Sequence, residues 1–470
     1  MPHLSSPQQV VEAALEAATI DGVVVLVTDR SEANLRWANS SLTTNGEMSS
    51  RSVTVIATTA TGQGTAAGVV DRTVTDAADV QSLVQAAEAA ARSAPPAQDA
   101  APLVTPDQAG VSSDFDTGPE ATSIGAFSEV ATDLGEAFRA GGSTRQHFGF
   151  AEHVVDSIFL GSSTGLRLRH VQPTGRLEMN AKNANWSASS YLGFTFREPS
   201  EADVSSADDE LARRLGWAEK TVDLPAGRYE AILPPTAVAD LLVYAYWLAE
   251  AKAADEGRSA YSRKGGGARI GDRLASLPLD VFSDPNRRGI ECAPFAVVPA
   301  STADASVFDN GLAIRREDWI AKGELVSLSG SRAYASASAA AGYHTPVRLL
   351  ADNLILEAPS GTGSLDDLVA STDRALLLST MWYIRIVDPQ TLLLTGLTRD
   401  GVYLVEGGEV VGAVNNFRWN ESPLDVLDKM TEVGATERCY PREWGDYFTR
   451  TAMPPVRVEG FNMSSVSLAQ

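Results

Sequence analysis

Gly227-Arg-Tyr-Glu-Ala-Ile-Leu-Pro-Pro-Thr-Ala-Val-Ala-Asp-Leu-Leu-Val-Tyr-Ala-Tyr-Trp-Leu-Ala-Glu250 reads as a strand, a Pro-Pro turn and a helix. Tyr229–Leu233 has the aromatic and β-branched character of a strand, and the two prolines punctuate its end. From Thr236 onward, Val238, Leu241, Leu242, Ala245, Leu248 and Ala249 follow the i, i+3, i+4, i+7 spacing of a helix with one apolar face. Tyr244, Tyr246 and Trp247 fall on the other side of that helix. Rings placed there need burial by another element of the chain or by another chain.

Upstream, Ser6-Pro7-Gln8-Gln9 has the signature of a helix start, a serine cap with proline at the first position and glutamine three residues after the cap. Val10, Val11, Ala14, Leu15 and Ala18 give that helix its apolar face. Val23–Asp29 and Ser52–Thr58 read as strands, with Leu35–Gly46 as a third that ends in an Asn45-Gly46 turn. Ala77–Ser93 and Gly125–Ala140 read as helices. Pro95, Pro96, Pro102 and Pro106 mark 94–116 as a surface loop. His153–Leu160, Gly165–Val171 and Gly175–Ala181 alternate like strands of a meander, and Glu201–Trp217 is a polar helix. The linker-like Thr221–Gly227 places a boundary between an N-terminal domain, 1–220, and a C-terminal domain, 221–470.

Downstream, Arg258–Arg273 is a basic, glycine-rich island, and Ser364–Leu378 reads as a helix. Thr391–Thr395, Val402–Val405 and Val410–Val414 read as strands joined at Asp400-Gly401 and Gly407-Gly408. The fold class is α+β: helices against an antiparallel sheet in the first half, and a strand-rich second half with a barrel-like or sandwich core.

At 470 residues the chain is long enough for two or three cores. Acidic side chains outnumber basic ones, 60 to 38, and the net charge of −22 repels phosphate backbones, so no nucleic-acid partner is expected. The 2 cysteines, Cys292 and Cys439, give no disulfide framework or zinc-ribbon spacing. A cytoplasmic chain with neither signal peptide nor membrane span is expected. Among the 5 histidines, His147 and His153 read as structural. Cys292 has no neighbouring histidine to make it a nucleophile. Gly265-Gly266-Gly267 beside Lys264 lacks the Gly-Lys-[Ser/Thr] ending of a phosphate loop.

The strand–turn–helix of 227–250 resembles the opening of the C-terminal half of the TldD/PmbA family of metalloprotease subunits. Asp309–Ile314 resembles that family's edge strand, Leu365–Leu378 with Ile386–Thr395 its following helix and strand, Gly401–Val411 its hairpin, and Val456–Ser465 its last strand. The resemblance implies a His-Glu-x-x-x-His zinc motif on the helix of the catalytic subunit. Here those positions hold Val243, Tyr244 and Leu248, which supply neither ligands nor a general base. The implied role is therefore that of the TldE/PmbA-like, non-catalytic subunit. It would pair with a zinc-bearing TldD-like partner, hold no cofactor itself, and form part of a channel for unfolded or short peptides.

By the same resemblance, Cys439 lies near the place of a third, cysteine ligand and is a weak metal candidate. Tyr343 and His344 fall in a peptide-contacting loop. Tyr244, Trp247, His344 and Tyr343 are the substrate or interface candidates. A buried free cysteine and a surface histidine at a proline turn are the blander readings. The alternatives are a stand-alone peptide-binding module and a metallopeptidase using other ligands, such as His344 and Cys439 with a carboxylate.

Overall fold

Val23, Val25 and Val27 alternate with Val24 and Leu26 along one strand, and the two sets enter separate apolar clusters on opposite faces. In the computed structural model, which describes residues 5–73 and 79–467, this strand is central to an antiparallel sheet. The sheet comprises Gly22–Ala38 (β1), Ser41–Thr61 (β2), Gly64–Thr73 (β3), Arg145–Ser162 (β4), Arg167–Asn183 (β5) and Ser189–Phe196 (β6), in the order β3-β2-β1-β4-β5-β6. The expected helix from Ala77 begins outside the described residues.

Pro7–Ala17 (α1) and Val80–Ser93 (α2) cover the odd-numbered valines of β1. The expected cap of α1 is present, since Ser6 and Gln9 exchange side-chain-to-backbone hydrogen bonds. Farther along the same face, Ser128–Gly141 (α3) and Val204–Trp217 (α4) cover Ala33, Leu35, Leu177 and Met179. On the opposite face, Val24 and Leu26 meet Val104, Phe295 and Phe308 from long loops.

The hairpin between β1 and β2 turns at Asn39-Ser40, not at Asn45-Gly46. Asn39 and Ser40 take φ of 51° and 54°, the left-handed pair a two-residue hairpin requires. Asn45 and Gly46 lie inside β2, opposite Leu35 and Asn34. Strand pairing over the whole length of β1 overrides the local turn signal, because a slip would expose the valines. The expected separate strands around 153–181 are likewise two long ones, β4 and β5.

Thr221–Val222 (β7) and Gly227–Leu233 (β8) open the second half. β8 lies within a ten-stranded mixed sheet, antiparallel to Val456–Val466 and parallel to Arg374–Leu378. A second, six-stranded sheet contains Asp280–Ser283, Leu354–Glu357, Thr451–Met453 and Glu437–Cys439. The expected helix Ser364–Leu378 is a helix only over Leu365–Ala370, and Arg374–Leu378 is a strand. Leu376 and Leu378 enter one cluster and Ala375 and Leu377 another, so the strand is apolar on both faces. Such a run has no alternation to distinguish it from a buried helix. Asp309–Ile314 forms only isolated bridges, at Leu312 and Ala313, and not an edge strand.

α4 is tied to the sheet by a buried polar network. His147, fully buried, contacts Asp208 Oδ1 through Nε2 at 2.7 Å and Ser40 Oγ through Nδ1 at 3.3 Å. Arg145 donates Nε and Nη2 to the same carboxylate. Burial pushes Asp208 up, but the hydrogen bonds from His147 and Arg145 outweigh it and hold the carboxyl below its ordinary value. A carboxyl depressed in this way stabilises the fold above its unfolded pKa and loses that contribution as pH falls. Asp208→Ala should therefore cost about 3 kcal/mol in urea unfolding at pH 7, and the gap to wild type should narrow below about pH 4. Equal stability at pH 7 would contradict the role given to this network.

Candidate functional site

Pro235–Trp247 (α5) follows β8 directly, with Pro235 in its first turn, where the missing N–H costs nothing. The spacing of its leucines suggested a single apolar stripe. In the fold the helix is enclosed by Pro423–Asp428, Glu437–Cys439, Thr451–Met453 and Arg442–Trp444. Residues Ala237–Val243, Ala245 and Tyr246 are all buried. A helix apolar on nearly every side is what such enclosure needs.

Val243 is completely buried. Tyr244 and Leu248 are half-buried against the same core. The Tyr244 ring meets Trp444 edge-on at 4.8 Å, while Trp247 meets Trp444 at 5.3 Å and Phe448 at 5.9 Å. These aromatic partners belong to the chain itself. Tyr246 is buried, with its hydroxyl donating to Ala351 O at 2.8 Å and accepting from Ala351 N and Ser283 Oγ.

The sequence reading passed over Asp240, which is fully buried on α5. Its Oδ1 accepts from the Glu443 backbone N–H at 3.0 Å, and its backbone oxygen accepts from Trp444 Nε1 at 2.8 Å. Oδ2 has no partner. Burial, reinforced by Glu443, raises the Asp240 carboxyl well above the carboxylate range. An aspartate in the middle of an apolar helical run was the available signal.

Cys439 is buried beside Thr451, Sγ to Oγ1 at 3.3 Å, and burial pushes its thiol up to about 12. Cys292 is also buried, with its thiol pushed up to about 12. Both are thiols at neutral pH, whereas a metal ligand or nucleophile needs the thiolate. His344 and Tyr343 sit on an exposed loop after Arg332–Ala340. Among the described residues no hydrogen bond, ion pair or ring contact joins His344 to Cys439 or to α5, and no three His, Cys, Asp or Glu side chains gather as a metal site. The basic island is locally matched: Arg258 pairs with Glu256, Arg263 and Arg269 with Asp272, and Arg273 with Glu324.

A cleft of about 1160 Å³ lies between the first sheet and the ten-stranded one. Its floor is the face of the first sheet opposite α3 and α4, where Arg36, Phe150 and Glu178 lie in register across β1, β4 and β5. Phe148, Lys182 and Trp186 extend that floor. The facing wall is built by 399–403, 413–416 and Arg442. Gly149, paired with Trp37, makes room for the Trp37 ring behind the floor, because a Cβ there would meet Glu178 O at 2.2 Å and Trp37 Cζ2 at 2.3 Å. Arg442 connects this cleft to α5, since Glu443 and Trp444 beside it hold Asp240.

Asp240 generates a pH prediction. A carboxyl raised in the fold loses stability as pH climbs from its unfolded pKa, about 4, towards its folded pKa, because over that window only the unfolded chain releases the proton. Asparagine mimics the protonated form. Asp240→Asn should therefore be near neutral at about pH 4 and stabilising by about 1–3 kcal/mol at pH 8 in denaturant titrations. A variant less stable than wild type at pH 8 would overturn this account.

Residues 226–465, just over half of the 470, match the family described as PmbA/TldA metallopeptidase C-terminal domain. No curated protein matches the chain. TldE from Thermococcus kodakarensis shares the architecture at a TM-score of 0.74 and 14% identity, over 97% of this chain and 99% of that one. A protein of Thermotoga maritima, described as a candidate modulator of a DNA gyrase, gives 0.72 at 15% identity over 94% and 95%. A protein of Bacteroides thetaiotaomicron with a similar description gives 0.73 at 14% identity over 98% and 98%. At these identities the solved structures establish a common fold, while the family match over residues 226–465 identifies the chain itself: it belongs to the PmbA/TldD family.

Proposed function

We propose that this chain is a non-catalytic, TldE/PmbA-like subunit of a two-chain zinc peptidase and forms part of the channel that holds peptide for a TldD-like partner. The observation that carries the reading is the donor set on α5. Val243 and Leu248 have no lone pair to offer zinc, Tyr244 is engaged with Trp444, and the nearby Cys439 is a buried thiol. These residues do not fit a zinc site, so no step is assigned to a metal on this chain. The division at 220/221, the cytoplasmic setting and the lack of a nucleic-acid partner belong to the same reading. The charge of −22 supports the last of these, and among the described residues no helix is long and apolar enough to cross a membrane.

The chain's part in catalysis would be to position an extended peptide against the partner's zinc. Backbone hydrogen bonds from a strand edge would do this without selecting a sequence. The lower-lying half of β2 has such an edge: β3 pairs with Ser52–Thr61 only, and 41–50 is mostly exposed. A stand-alone peptide-binding module is the second reading, favoured by the size of the cleft, about 1160 Å³.

The tagged chain, isolated gently from its own host, should carry one partner in equal amount. That partner should bear His-Glu-x-x-x-His, and zinc and peptidase activity should be found only in the complex. A lone chain that keeps zinc and cleaves peptides would overturn the proposal, and a lone, inactive chain that binds peptide would favour the module.

A further inference from the structure

The cleft has a charge character opposite to that of the chain. The protein carries −22 overall, yet Arg36, Lys182, Arg399 and Arg442 line the cleft against Glu178, Asp223 and Asp400. The acids are largely engaged. Glu178 accepts from the hydroxyls of Tyr191 and Tyr440, at 2.9 and 3.0 Å. Asp400 accepts from Ser189 Oγ at 2.8 Å and pairs with Arg442 at 3.1 Å and Arg399 at 3.7 Å. The floor cations are matched differently. Arg36 lies over the Phe150 ring at 5.6 Å, and Lys182 over Trp186 at 4.7 Å and Phe148 at 5.6 Å. Among the described residues neither has an acidic partner.

Arg442 is the sharpest feature. Its side chain is 10% exposed and held between the Tyr191 ring at 3.9 Å and the Trp382 ring at 4.5 Å. Its Nε and Nη1 have no acceptor. A guanidinium has five N–H donors in a fixed fork, and burying charged donors unpaired is costly. Three more lining residues keep buried donor atoms without partners: Trp37 Nε1, Tyr403 Oη and Asn415 Nδ2. A cleft with excess cations and aromatic rings around a guanidinium that keeps two N–H groups without an acceptor lacks one thing, an anionic group rich in acceptors. Planar carboxylate matches the guanidinium fork.

We propose that this cleft is a carboxylate-binding subsite for peptides, with Arg442 receiving the carboxylate and Arg36 and Lys182 drawing acidic segments onto the aromatic floor. This rests on the peptide-handling role above, but the subsite is built from this chain alone. The carboxylate comes from either an acidic side chain or a free C-terminus.

The test is calorimetric titration of the full-length chain with three short, otherwise identical peptides. One carries glutamate and an amidated C-terminus, one glutamine and a free C-terminus, and one glutamine and an amidated C-terminus. One or both carboxylate peptides should bind on the order of tenfold more tightly than the third, and which of them does so names the source. Arg442→Gln should abolish the difference. Lys182→Gln, on the cleft floor, should reduce it without disturbing the core, so the result does not depend on how well the Arg442 variant folds. Equal binding of all three peptides, no binding of any, or an unchanged preference in Lys182→Gln and a folded Arg442→Gln would each overturn the subsite. None of these outcomes touches the co-purification of a zinc-bearing partner, so failure here is distinct from failure of the subunit reading.

Discussion

The segment from Cys439 to Phe448 constrains the molecule at three places within ten residues. Tyr440 is almost fully buried, and its hydroxyl joins Glu178 and Arg176 of β5. Gly193 and Gly445 make room for its ring, since a Cβ at either would lie 2.6 Å or less from it. Glu443 and Trp444 clasp Asp240, and Trp444 with Phe448 covers the aromatic side of α5. Arg442 reaches the cleft between these two anchorages. The tight packing of protein interiors makes such a segment rigid, because shifting it opens voids on both sides.

That arrangement explains why α5 can be so apolar. It has Trp444 and Phe448 beside it and nine consecutive or near-consecutive buried positions. Its one acidic side chain, Asp240, is fully buried, and burial pushes the carboxyl well above the usual carboxylate range. The polar opportunity lies a few residues away, in the cleft, where cations are clustered within an otherwise acidic protein. Local field, not net charge, sets what such a concave surface attracts.

Much of the fold was legible where periodicity and capping agree. Ser6 and Gln9 marked the start of α1, the valines of β1 marked a strand, and the Pro-Pro pair separated β8 from α5. Legibility failed where burial is two-sided or pairing is long-range. Ala375–Leu378 carried no alternation, and Asn45-Gly46 offered a turn that the pairing of β1 with β2 rejected. At the site, the apolar and aromatic character of Val243, Tyr244 and Leu248 could be read from the sequence. Asp240 and Arg442 could not be recognised, because their meaning lies in what surrounds them.

The sequence by itself determined the order of elements, the acidic balance and the chemistry absent from α5, since side-chain type and local periodicity depend only on neighbours along the chain. Only the tertiary structure decided that α5 is enclosed on nearly all sides, that Cys439 is a buried thiol, and that Arg36, Lys182, Arg399 and Arg442 face one cleft. Those properties come from residues as far apart as Arg36 and Arg442 being brought together by sheet pairing. Burial and charge clustering are features of that assembled surface, and no local stretch of chain specifies them.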